Sequence, residues 1–175
     1  MCSSDLFNPQ KCPLFLIDAL AGVQDLDWRL TMIGDGLLMA ATRRQAEFYK
    51  LTPRIEFTGW LKGAEVQQRL AGADVLLMPS NSEGLPVAAI EALKHGLAVV
   101  ASDIPGVRDV VLDGVNGARI PAGNLDAWSA RLRTLLTDDA QLAAMKWASW
   151  EKARDFDLAR IATQYEEVLR AAARR

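Results

Sequence analysis

Apolar residues fall along the chain in two rhythms, one spaced for helices and one run together as buried strands require. Residues 13–23 (PLFLIDALAGV) predict a helix, because Pro13 suits a first helical position and Leu14, Ile17, Leu20 and Ala21 recur at helical spacing. Residues 28–33 predict a strand, closed by Gly34-Asp35-Gly36. A helix over about 38–50 and a strand at 54–58 follow. Residues 62–71 predict a short helix with Val66 and Leu70 inward, and residues 74–79 (DVLLMP) a buried strand. The helix expected over 86–95 stops at Gly96, where a left-handed cap suits glycine, and residues 97–102 (LAVVAS) form another apolar strand. The turn Gly114-Val115-Asn116-Gly117 leads into a short strand at 118–120, and everything from Asn124 onward reads as helical.

Strands alternating with helices predict an α/β fold, a Rossmann-like doubly wound parallel sheet with a C-terminal helical tail. The strands are near-continuous apolar runs, as a sheet covered on both faces demands. Ligands of such sheets sit beyond the carboxyl ends of the strands, so the loops after Ile33, Thr58, Pro79 and Ser102 are where a site belongs. Residues 1–10 fit none of this pattern and are expected to be a non-native or truncated lead-in. Residues 11–140 form the α/β body, and residues 141–175 the closing helices.

Composition narrows the function. A 175-residue chain with 50% hydrophobic residues can build one real core. Its net charge of −2 argues against a nucleic-acid partner, which calls for a basic field. No apolar run approaches the roughly 20 residues needed to span a bilayer. The first residues lack a basic region followed by an apolar one, so no secretory leader is expected. Cys2 and Cys12 make neither a metal spacing nor a disulfide framework and read as reduced thiols of a cytoplasmic protein.

The chemistry concentrates in Ser80-Asn81-Ser82-Glu83-Gly84-Leu85-Pro86, which runs straight into a helix carrying Glu91. Gly84 allows a ligand to approach the backbone, and Pro86 suits a first helical position. Free N–H groups in the first turn offer an anion site, and Glu91 offers an acceptor for a ribose diol. The same letters also fit a simple capping box, with Glu91 a solvated helix residue. A glycosidase pair is disfavoured: eight helical steps from Glu83 to Glu91 span about 12 Å, whereas hydrolases hold their carboxyls about 5–9.5 Å apart across one bond.

The stretch FTGW…LAGADVLLMPSNSEGLPVAAIEALKHGLAVVASDIPGVRDVVLDGVNG resembles the C-terminal, donor-binding domain of glycosyltransferase family 4, of GT-B fold, with Glu83 and Glu91 as its Glu-x7-Glu motif. The resemblance runs from about Gln10 to the C terminus. It implies a retaining hexosyltransferase whose donor is a UDP- or GDP-linked sugar, with no cofactor and no metal. By the same resemblance Glu91 binds the ribose hydroxyls, and Glu83 lies beside the donor sugar as the catalytic residue, orienting it and easing charge development at the anomeric carbon. Backbone amides near Gly84, Leu85 and Pro86 meet the distal phosphate and the sugar, Lys11 contacts the diphosphate, and Gly59 and Trp60 border the nucleobase. Reaction proceeds by front-face attack, the departing diphosphate accepting the proton, so the protein's work is positioning and charge stabilisation.

The resemblance fails at the front. Ser4-Asp5-Leu6 stand where the family has a strand ending in a Gly-Arg-Leu-like turn, so a strand and a phosphate-binding arginine are expected to be absent, leaving a sheet edge exposed. With no N-terminal acceptor domain, the chain alone is expected to be inactive. Any membrane contact is expected only through that absent domain. His95 is read as favouring a helix C-terminus, and Asp103 and Asp109 as caps of the next turn. Trp128, Trp147, Trp150 and Tyr165, on the closing helices, are expected to include residues left exposed. Two other readings are a nucleotide-sugar epimerase of the same fold, which a single histidine disfavours, and a non-catalytic doubly wound module, which would leave the Glu-x7-Glu loop unexplained.

Overall fold

In the computed structural model, residues 7–173 are described. Cys2 and Ser4-Asp5-Leu6 of the lead-in lie outside them. Helices and strands alternate as the apolar rhythm predicts: α1 (Pro13–Ala21), β1 (Leu30–Ile33), α2 (Met39–Phe48), β2 (Ile55–Gly59), α3 (Gly63–Ala71), β3 (Val75–Met78), α4 (Val87–Lys94), β4 (Ala98–Ser102) and β5 (Gly117–Ile120). Three helices close the chain: α5 (Leu125–Thr137), α6 (Asp139–Ala153) and α7 (Leu158–Ala172). Side-chain caps separate them. Asn124 accepts from Ala127 N, Asp138 from Gln141 N, and Asp157 from Ala159 N and Arg160 N, each cap worth about 1 kcal/mol. Gly96, at φ +67°, ends α4 in the left-handed conformation.

All strand pairs are parallel, but they form two blocks. Leu30 lies opposite Ile55 in the β1–β2 pair, whereas β4 stands between β3 and β5 with Val75 opposite Ala98 and Val99 opposite Gly117. No ladder joins β1 to β3 among the described residues. The doubly wound order 3-2-1-4-5-6 explains the break: β2 and β1 fill the third and second places, while β3, β4 and β5 fill the fourth, fifth and sixth. The first place, in the middle of the sheet, holds no strand of the described residues. The edges of β1 and β3 that face this interval are left unpaired among the described residues. Val75, Leu76 and Leu77 of β3 are only half-buried, while every residue of β4 is buried. Residues 7–11 cross the interval at the carboxyl ends of the strands. Leu38 N donates to Phe7 O (2.7 Å) beyond β1, and Asn81 N to Gln10 O (2.9 Å) beyond β3.

Two apolar clusters cover the sheet. One gathers Phe7, Ile17, Met32, Val100 and Trp128; the other gathers Val66, Leu93, Val99, Val107 and Val110. Trp128 is wholly buried, edge-on to Phe15, whereas Trp147, Trp150 and Tyr165 are exposed. The stripe Trp128, Leu132, Leu135 is the buried face of α5, which packs on α1. Helix α7 buries no residue and presents Leu158, Ile161, Tyr165, Val168 and Leu169 to solvent. No helix among the described residues is long and apolar enough to cross a membrane.

Candidate functional site

The site lies where the fold rule directs, beyond the carboxyl ends of β3 and β4. Residues Pro9–Lys11 form a single 3-10 turn, capped by Asn8, whose side-chain oxygen accepts from Lys11 N (3.0 Å). Cys12, at φ 51°, then swings the chain into α1. This turn delivers Lys11 to the loop after β3, where Nζ donates to Glu83 Oε1 at 2.7 Å. Both side chains are shielded, 17% and 9% exposed. Gln10 stitches the same two segments together: its side-chain amide donates to Ser82 O (2.7 Å) and its carbonyl accepts from Asn81 N (2.9 Å). On the other side Gly106, in the turn after β4, presses against the backbone of Glu83 and Gly84.

Around Gly84 the space is open, since a β-carbon there would meet nothing within 4 Å. Leu85 is exposed. Pro86 is not the first helical residue, as expected from sequence, but the cap before it. Its carbonyl accepts from Ala89 N (2.9 Å) and Ile90 N (3.2 Å), and Val87 N is taken by Leu85 O (2.9 Å). The anion-binding amides of this helix end are therefore fewer than a whole free turn. Those of Gly84 and Leu85 find no backbone acceptor among the described residues. The alternative capping box does not form: Ser80 is buried, and no side chain caps α4. Glu91, one turn further in, is half-buried and has no hydrogen bond or ion pair with a described residue, which leaves its carboxylate available as an acceptor.

Lys11, Glu83 and Gly84 are thus brought together, with Leu85, Pro86 and Glu91 following on the same loop and helix. Gly59 and Trp60 stand at the end of β2, across the central interval. Gly59, at φ +67°, accepts from Gly34 N (2.8 Å), and Trp60 is 60% exposed. His95 is at the other end of α4, its Nε2 2.6 Å from Gln67 Oε1. Asp103 caps no turn among the described residues, contrary to expectation. It pairs instead with Arg108 (3.0 Å) and Arg119 (3.5 Å) beyond β4, because these two guanidinium groups converge on its carboxylate. Asp109 is exposed. Burial pushes the Cys12 thiol up, partly offset by the amide of Asn81. No group of three or more His, Cys, Asp or Glu side chains among the described residues is placed to hold a metal ion. Sequence reasoning missed Gln10 and Gly106. Neither residue type signals its partner in the loop after β3, which for Gln10 lies 72 positions away, although Gly106 follows a proline in a loop already expected at the ligand end.

A parallel α/β layer with loops gathered at the strand ends is the architecture of a Rossmann-like nucleotide-binding domain of GT-B type. Residues 1–138 match the family described as glycosyl transferases group 1, and the chain belongs to that family. Among curated relatives, the lipopolysaccharide 1,6-galactosyltransferase of Salmonella typhimurium is 28% identical over 138 residues, 77% of this chain and 38% of that protein. The phosphatidyl-myo-inositol mannosyltransferase of Mycobacterium leprae is 30% identical over 164 residues, 92% of this chain and 43% of that protein. The chain thus spans under half the length of these relatives. Among solved structures, Anabaena Alr3699/HepE in complex with UDP superposes with a TM-score of 0.84 at 26% identity, covering 94% of this chain and 46% of that one. The same protein has also been solved with UDP-glucose.

Proposed function

We propose that the chain is the donor-binding half of a retaining glycosyltransferase of family 4, taking a hexose from a UDP- or GDP-linked donor. The observation that carries this reading is the meeting of Lys11 and Glu83 beside open Gly84, at the amino end of the helix that bears Glu91, which has no partner among the described residues. Lys11 and the amides of Gly84 and Leu85 supply donors for a diphosphate, and Pro86 fixes where the helix starts. Glu91 grips the ribose diol, and two charge-assisted hydrogen bonds donated by the hydroxyls to its carboxylate contribute about 1.5–3 kcal/mol each. Glu83 stands at the sugar, and Gly59 with Trp60 borders the base.

In the transfer step an acceptor hydroxyl oxygen bonds to the anomeric carbon on the face that the diphosphate leaves. The bond from that carbon to the phosphate oxygen breaks, and the hydroxyl proton passes to the departing diphosphate. No protein nucleophile and no metal is needed for this balance. The acceptor is held by a separate N-terminal domain, so the chain alone binds donor without turning it over. Any membrane association of the full enzyme also belongs to that domain. The epimerase reading is weaker because His95, the single histidine, sits at the far end of α4 from Gly84.

Calorimetric titration with UDP, GDP and ADP tests the assignment on the parent chain and on Glu91→Ala. Binding of one nucleotide is expected, with a loss of about tenfold or more in the variant. Equal affinity in both proteins removes the ribose role of Glu91.

A further inference from the structure

We propose that the Lys11–Glu83 ion pair makes the site select a nucleotide sugar over the free nucleoside diphosphate that remains after transfer. This rests on the donor-site reading above. The cation that would meet the diphosphate is already paired, at 2.7 Å, with an acid that is only 9% exposed. The pair is held in place by Gln10, whose carbonyl accepts from Asn81 N and whose side-chain amide donates to Ser82 O, so Lys11 and Glu83 stay together while the two segments hold. Together the two side chains carry no net charge, and shielding from water keeps each one's field effective at short range.

A diphosphate esterified at both ends carries one negative charge on each phosphorus. When the sugar leaves, the terminal phosphate gains a further ionisable oxygen and about one more negative charge near neutral pH. That added charge develops beside Glu83, which repels it, and Lys11 is already shared. The paired site therefore tolerates the doubly esterified ligand better than the singly esterified one, which favours exchange of spent nucleotide for fresh donor. Replacing Glu83 by glutamine keeps the shape and an oxygen for Lys11 but removes the opposing charge.

The test is calorimetry with UDP and GDP, and with UDP-glucose for comparison, on the parent, Glu83→Gln, Glu83→Ala and Lys11→Met. Glu83→Gln is expected to bind the free diphosphate about fivefold tighter at physiological salt, with the gain shrinking at high salt. Glu83→Ala should also tighten binding, and Lys11→Met should weaken it. A side chain that only touched the transferred sugar would leave affinity for the free diphosphate unchanged, since that ligand has no such sugar. If the parent binds the diphosphate and neither Glu83 variant binds it more tightly, with far-UV circular dichroism matching the parent, the proposal is overturned and the donor-site reading stands. If the parent binds none of UDP, GDP or UDP-glucose at millimolar concentration, the donor-site reading fails and the proposal falls with it.

Discussion

A β-carbon built on Gly106 would lie 2.1 Å from the carbonyl oxygen of Gly84 and 2.2 Å from that of Glu83. The turn after β4 meets the loop after β3 backbone to backbone, with room for a hydrogen atom and nothing larger. Residues 8–11 hold the same loop from the other side through Gln10 and Lys11. The position of Glu83 is therefore set by two other segments, residues 8–11 and the turn at Gly106.

Gly106→Ala should push this loop off its support. The clash is with backbone, which cannot rotate away, so a loss of about 1–3 kcal/mol is expected in urea unfolding, with weaker nucleotide binding. Gly84→Ala is the contrast, because its β-carbon would meet only open space. Stability there should stay within about 0.5 kcal/mol, while nucleotide affinity falls because a methyl group stands where the ligand approaches. Unchanged stability in Gly106→Ala would mean that the two loops do not touch in solution.

Acid stability should depend on Asp25, in the loop after α1, which both terminal nitrogens of Arg133 on α5 clamp at 2.7 and 2.8 Å. Hydrogen bonds from Arg133 hold the carboxyl down from its ordinary 3.8 to about 2. A carboxyl depressed by folding adds stability above its unfolded value, and that contribution is lost as pH falls from about 3.8 through about 2. Asp25→Asn should accordingly show a flatter decline of melting temperature across that window than the parent does. Both side chains are about half exposed to solvent, so the difference should shrink in high salt. Parallel curves at low salt would mean the clamp is not kept in solution.

The order of elements was legible because helical spacing and apolar runs are local signals. Trp128, grouped from sequence with aromatics expected to include exposed residues, is instead buried, because it shares the inner face of α5 with Leu132 and Leu135. Element ends were less legible. Trp28 reads as strand, yet its indole nitrogen donates to Val23 O (3.0 Å) and the ladder starts at Leu30. Strand partners were not legible, since a buried run such as VLLM states that it is covered without saying by what. The loop chemistry could be named from a single segment, but Lys11 lies 72 positions from Glu83, and only the family resemblance linked them before the fold did.

The break between β1 and β3 gives the last prediction. Asp74 O accepts from Ala98 N, so alternate residues of β3, Leu76 and Met78, turn their peptide groups toward β4. Val75 and Leu77 turn theirs toward the central interval, where no strand of the described residues receives them. Amide exchange followed by NMR should therefore be at least about tenfold faster at Val75 and Leu77 than at Leu76 and Met78. Equal protection at all four would mean that a further strand pairs with β3 in solution. The interval lies directly below residues 7–11, so a strand added there would also brace the turn that carries Lys11, and nucleotide affinity should rise with the protection of Val75 and Leu77.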